Sequence, residues 1–190
     1  MQLNGEIRID APREQVYAAL NDPEILRKSI PGCEEIEQLS ETELIATVVT
    51  KIGPIKTKFK GHVTLSDLNP PSSYTISGEG KGGTAGFAKG GAKISLEVDG
   101  DGTVMRYDVQ IDVGGKLAQL GGRLIEGTAK KLSDDFFTRF KQEVSGVDDE
   151  AAGAAVAAAE EARMRAPRPL VWIVGGAAAL AVLYFLIGAL

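Results

Sequence analysis

Apolar and polar positions alternate in short runs as far as Val113, and beyond it the apolar residues recur at a helical period. Leu3, Ile7 and Ile9 alternate with polar neighbours and predict a first strand. Asp10 followed by Pro12 predicts a helix start, a side-chain cap ahead of a proline in the first turn. That helix is expected to run to about Asn21, where Pro23 ends it, and a second short helix is expected over Pro23–Lys28. After the Pro31-Gly32 turn come closely spaced strands, with Ile36–Leu39 first and then Leu44, Ala46 and Val48. Phe59, Gly61, Val63 and Leu65 share one face of the next, and Lys58, Lys60, His62 and Thr64 share the other. Tyr74 and Ile76 begin another strand, and Ala92, Ile94, Leu96 and Val98 alternate in the one after. Asp99-Gly100-Asp101-Gly102 reads as a hairpin turn into Met105, Tyr107, Val109, Ile111 and Val113, the clearest period of two in the chain.

Past Gly114-Gly115, Leu117, Leu120, Leu124, Leu132, Phe136, Phe140 and Val144 line up at helical spacing, with Ile125 and Phe137 widening the stripe. They predict one amphipathic helix of about 28 residues, ~42 Å long. A long helix with a single apolar face needs a sheet to cover it. The predicted order is a strand, two short helices, six strands and a long helix, an α+β class in which a curved antiparallel sheet wraps the last helix. Such a helix-grip layout leaves a concave apolar space between helix and sheet, the kind of place where ligands bind. Gly78, Gly80, Gly82, Gly83, Gly86, Gly90 and Gly91 fall on strands expected to line that space, where large side chains that would fill it are missing. The same glycines also fit a bulged hairpin.

Leu170–Leu190 carries no charged residue over 21 positions. At ~1.5 Å per residue it spans about 31 Å, the thickness of a hydrocarbon core. Its place at the C-terminal end reads as an anchor and not as a secretory signal. Trp172 sits where an interfacial ring is expected, and Arg163, Arg165 and Arg168 would hold the preceding chain in the cytoplasm. Three segments follow: a domain over 1–144, an Ala/Glu-rich, partly helical linker over 145–169, and a transmembrane anchor over 170–190. The expected location is the inner membrane, by a single pass.

The 190 residues carry a formal net charge of -5, which argues against a nucleic-acid partner. One Cys and one His exclude an internal disulfide and a two-His metal site within one chain. Gly78-Glu79-Gly80-Lys81-Gly82-Gly83 matches G-x-G-x-x-G, but a strand and not a helix is expected after it, so a dinucleotide site does not follow. Cys33 adjoins Glu34 and Glu35, which disfavour a thiolate, and reads as structural. His62 falls on a polar face between lysines and reads as solvated. Lys51, Lys56, Lys58 and Lys60 form a basic stripe, either a solvated sheet face or a surface for anionic lipid or an acidic partner.

Five stretches carry a family resemblance in chain order: IDAPREQVYAALNDPE at Ile9–Glu24, IPGCE at Ile30–Glu34, KIGPIKTKFKG at Lys51–Gly61, GEGKGGTAGFAKGGAK at Gly78–Lys93, and VGGKLAQLGGRLIEGTAKKLSDDFF at Val113–Phe137. Over about residues 1–143 the chain resembles the carbon monoxide dehydrogenase G-subunit family of the START-like, polyketide-cyclase-like (SRPBCC) helix-grip superfamily. The resemblance implies a non-catalytic companion of a molybdenum CO dehydrogenase or a related xanthine-dehydrogenase-type hydroxylase. It implies recruitment of that enzyme to the membrane and, in members with an apolar tail, binding of a respiratory quinone, menaquinone or ubiquinone, with no covalent cofactor. Two other readings stay open, a tether without a ligand and a cyclase- or hydrolase-like enzyme.

Strand parity places Phe59, Val63, Tyr74, Ile76, Tyr107, Val109 and Ile111 toward the expected ligand, and Phe87 on the glycine-rich hairpin joins them. The helix stripe adds Leu117, Leu120, Leu124, Phe136 and Phe140. Gly83 and Gly86 are the expected partner contact, because a bare backbone admits close approach.

Overall fold

A computed structural model describes residues 2–145. The segment expected as an anchor and, apart from Ser145, the one expected as a linker lie outside the described residues. Among the described residues no helix is long and apolar enough to cross a membrane.

The elements run β1 (Gln2–Ile9), α1 (Arg13–Ala19), α2 (Pro23–Ser29), β2 (Cys33–Gln38), β3 (Glu43–Ile52), β4 (Ile55–Asn69), β5 (Ser73–Lys81), β6 (Phe87–Asp99), β7 (Gly102–Gly114) and α3 (Gly122–Ser145). Single 3-10 turns at Gly83–Ala85 and Ala118–Leu120 precede β6 and α3. The strands form one antiparallel sheet in the order β1-β7-β6-β5-β4-β3-β2. The α+β helix-grip architecture expected from the periodicity is the one observed.

Each element follows from its residues. In β7, Met105, Val109 and Ile111 are buried while Arg106, Asp108, Gln110 and Asp112 are exposed, so one face meets the core and the other water. Asp22 caps α2, its carboxylate accepting from the N–H groups of Glu24 (2.8 Å) and Ile25 (3.3 Å), with Pro23 in the first turn. The start of α1 differs from expectation. Pro12 is its N-cap, without a side-chain bond, and Asp10 pairs with Arg8 instead. Two residues, Ala11 and Pro12, stand between Asp10 and the first turn, too many for a cap.

The long helix is also shorter than its stripe predicts. Gly121 takes φ +84, a left-handed conformation that interrupts helical backbone, so Leu120 ends the 3-10 turn that Leu117 precedes as N-cap, and α3 starts only at Gly122. Its 24 residues span about 36 Å. Ile125, Ala129, Leu132, Phe136, Phe137, Phe140 and Val144 form the buried stripe. Phe59, Phe136 and Phe140 are fully buried. Burial on this scale contributes roughly 1.5–3 kcal/mol per side chain. The far end of α3 is held by the short helices: Gln15 Nε2 donates to the Val144 carbonyl (3.2 Å) and Lys28 Nζ pairs with Glu143 (3.0 Å). The backbone of α3 comes near that of α2 and stands off from the strands, so side chains and not helix backbone face the sheet.

Candidate functional site: the concave face under the long helix

The registers lay the inner face out in rows. Tyr74 on β5 lies opposite Ile94 on β6, which lies opposite Tyr107 on β7. The next row is Leu65, Ile76, Ala92 and Val109, followed by Leu44, Val63, Gly78, Gly90 and Ile111. After it comes a row of Ala46, Gly61, Gly80, Ala88 and Val113. Large side chains thus occupy the end near α1. A band of glycine and alanine follows toward the β5–β6 turn, and on β3 and β4 the buried Val48, Phe59 and Ile52 stand between that band and the β3–β4 turn. Phe59 lies in the space where a Cβ of Gly82 would sit, so a glycine here admits the ring. Above the sheet, Phe136 stacks on Phe140 (5.6 Å) and meets Phe137 edge-on (5.1 Å).

Ten of the expected lining residues converge on this interior. Phe59, Val63, Tyr74, Ile76, Val109, Ile111, Leu117, Phe136 and Phe140 are buried in one apolar cluster, and Tyr107 packs against it. The N–H of Leu117 donates to the Ala85 carbonyl (3.0 Å), which seats it beneath the β5–β6 turn. Leu120 is half-buried at the edge.

Leu124 and Phe87 correct the expectation. Leu124 is 40% exposed, against Gly53 of the β3–β4 turn, because the break at Gly121 starts a new helical phase that turns it to the rim. Phe87 is 44% exposed and lies opposite Gly114 with its ring over that glycine. The inner positions of β6 are Ala88, Gly90 and Ala92, so Phe87 has the opposite parity. Gly91 likewise faces outward, where shallow polar grooves of about 460 and 340 Å³ run past Gln110. The two glycines expected to meet a partner differ. Gly83 is exposed with open space around it. A Cβ at Gly86, where φ is +128, would overlap the Gly114 carbonyl, so this glycine serves a backbone crossing.

Tyr74 is the polar feature of the interior. It is 2% exposed, its ring meets Tyr17 edge-on at 5.7 Å, and its hydroxyl has no hydrogen-bond partner. Burial, then the neighbouring Tyr17, pushes its pKa well above the ordinary phenol value. Arg13 Nε and Asn21 Oδ1, also buried and unpartnered, come from α1 and the turn that follows it. Arg13, Tyr17 and Asn21 recur every four residues, which puts them on one helix face. Arg13 reaches Ser72 Oγ, beside the start of β5 (3.4 Å). Strand parity could not find this group, because its members lie along α1; their four-residue spacing was the available signal. Tyr107 does not join it. That ring stacks on Phe137 (5.8 Å), its hydroxyl lies over Gly5, and burial followed by the Asp134 charge raises its pKa.

The other buried polar side chains among the described residues are Ser29, Thr50, Thr103 and Ser133. Ser29 and Thr103 donate to the carbonyls of Ile25 and Ala11 (both 2.7 Å). Cys33 is half-buried, and burial pushes its thiol up to about 11, which makes it a poor nucleophile near neutral pH. His62 is exposed, 3.9 Å from Glu43 on the outer face. Among the described residues no group of His, Cys, Asp and Glu is placed to hold a metal ion. The arrangement is suited to enclosing an apolar molecule and offering it one phenolic O–H.

A family model for CoxG, the G subunit of carbon monoxide dehydrogenase, matches residues 5–145. No curated protein matches the chain. Among solved structures, a conserved protein from Geobacillus kaustophilus is 32% identical with a TM-score of 0.73, over 77% of this chain and 97% of that one. TTHA0849 from Thermus thermophilus is 17% identical with a TM-score of 0.56, over 78% of this chain and 100% of its own. The Zhui aromatase/cyclase from Streptomyces sp. R1128 is 11% identical with a TM-score of 0.56, over 80% and 97%. These last two share the fold.

Proposed function

We propose a function that proceeds from one premise: the chain belongs to the CoxG family, the G subunits of carbon monoxide dehydrogenase. It is a membrane-anchored accessory protein that holds a respiratory quinone under α3. It recruits a molybdenum CO dehydrogenase, or a related xanthine-dehydrogenase-type hydroxylase, to the inner membrane and links it to the quinone pool. The family name supports the dehydrogenase partner. The uncharged run at 170–190 supports the anchor, and the arginines before it support a cytoplasmic domain.

The observation that carries the ligand is the unpartnered hydroxyl of Tyr74 in an apolar interior. A buried hydroxyl without an acceptor costs about 1–3 kcal/mol. A quinone carbonyl supplies the acceptor and brings no charge to desolvate. Its isoprenoid tail follows the band of Ala46, Gly61, Gly80 and Ala88, where apolar burial contributes about 0.8 kcal/mol per CH₂. A charged substrate would cost several kcal/mol per ion there. In this role the protein performs no bond chemistry, and electrons pass between enzyme and quinone.

The test is mass spectrometry of lipids that remain with the full-length chain after extraction from membranes and gel filtration. Menaquinone or ubiquinone near one per chain is expected. Absence of quinone, with or without another lipid in its place, refutes the ligand assignment.

A further inference from the structure

The turn end of the grip is basic on its outer face. On the outer face of β3 and β4, Lys51 lies directly opposite Lys56, and Lys60 lies directly opposite Lys81 on β5. Like charges set opposite each other across strands destabilise a sheet, so their repetition at one end calls for a counter-charge. Two nearby carboxylates are committed: Glu34 pairs with Lys58 (2.6 Å) and Glu79 with Lys81 (2.7 Å). Lys51, Lys56 and Lys60, all exposed, have no carboxylate partner among the described residues. The same end exposes Phe87, opposite Lys81, and Leu124, against Gly53 between Lys51 and Lys56. Lys116 and Arg123 flank this rim and are exposed as well. A chain of net charge -5 therefore concentrates unneutralised lysines around two exposed apolar side chains.

We propose that this rim is a docking surface for an anionic lipid bilayer, with Phe87 and Leu124 entering the headgroup layer and Lys51, Lys56 and Lys60 lying on the lipid phosphates. Apolar side chains ringed by basic ones match a surface that is negative outside and oily within. The geometry is compatible with the anchor. The start of α3 is at the rim, and its end lies about 36 Å away. Residues 146–169 connect that end to the apolar run, and 24 residues reach at most ~80 Å when extended.

The placement rests on the proposed membrane residence, and the experiment separates the two. The full-length chain, with Cys33→Ser and an environment-sensitive fluorophore on Gly122→Cys, is reconstituted in nanodiscs. One set is phosphatidylcholine alone; the other also contains phosphatidylglycerol. A Cβ at Gly122 meets no atom within 4 Å, so the label sits free on the rim. Recovery in neutral discs reports the anchor alone. Docking is expected to blue-shift the label and expose it to doxyl-lipid quenching only in the anionic discs, and high salt reverses both. At about a five-fold effect per lysine, Lys51→Gln/Lys56→Gln/Lys60→Gln lowers the docking equilibrium constant on the order of 100-fold, with a melting temperature that does not fall. If the chain is not retained in neutral discs, the anchor fails, and capture by anionic discs still reads the docking. A label that responds equally in both lipids, or ignores the triple variant, overturns the proposal. Loss of dehydrogenase binding in that variant, with no effect of lipid charge, assigns the patch to an acidic protein and also overturns it.

Discussion

Tyr74→Phe removes one atom from the interior and should move stability and ligand binding in opposite directions. The hydroxyl is buried without a partner, while the ring packs edge-on against Tyr17. An unsatisfied buried hydroxyl costs about 1–3 kcal/mol, and the variant removes that penalty. It also gives up a few atom contacts around the oxygen, at ~0.1–0.2 kcal/mol each. The net expectation for the ligand-free chain is a stabilisation of about 1–2 kcal/mol. For a domain near this size, at roughly 3 °C per kcal/mol, the melting temperature rises by about 3–6 °C. A quinone loses one hydrogen bond, about 0.5–1.5 kcal/mol, so its affinity falls by roughly two- to ten-fold. Calorimetry of delipidated protein and quinone titration by fluorescence quenching measure the two. The alkaline limb adds a third reading. Burial raises the folded phenol well above its ordinary value, whereas the unfolded phenol ionises near pH ~10. Stability from this group is present below pH ~10 and is lost as pH climbs above it, so the wild type should fall more steeply there than the variant. A variant that melts lower than wild type refutes the orphan-hydroxyl reasoning. Unchanged quinone affinity removes Tyr74 as the polar anchor.

Two further tests are independent of any ligand. Gly86→Ala meets the Gly114 carbonyl and forces a strained φ, so it should cost more than the roughly 1–2 kcal/mol expected for Gly83→Ala, whose surroundings are open. Urea denaturation ranks the pair, and equal costs would show that the crossing at Gly114 does not constrain the turn. Cys33 should alkylate slowly near neutral pH, with a rate that climbs through about 11, because burial holds its thiol there. The sign for stability is a loss as pH rises from about 9 to about 11, since the unfolded thiol ionises first. Iodoacetamide labelling read by mass spectrometry checks it; a native rate at mildly alkaline pH equal to that in urea counts against a buried thiol.

The periodicity by itself determined the element order, the antiparallel sheet and the face of each strand that turns inward. A strand alternates with period two and a half-buried sheet tolerates no slip, so Met105, Val109 and Ile111 had to share the core side. Five motifs in chain order determined the family, and the uncharged run at 170–190 stands in the sequence alone. Tertiary structure decided the rest. A left-handed residue resets helical phase, and Gly121 alone moved Leu124 from the interior to the rim. The count of residues around the β5–β6 turn, not hydrophobicity, set Phe87 on the outer face. Tyr74 and Tyr107 sit on the same row of the sheet and read alike in sequence. Tyr74 packs against Tyr17 of the distant α1, while Tyr107 leans over Gly5 to reach Phe137. Parity names the face a side chain leaves from, but which elements close over it depends on contacts between distant parts of the chain, and only those leave one hydroxyl without a partner.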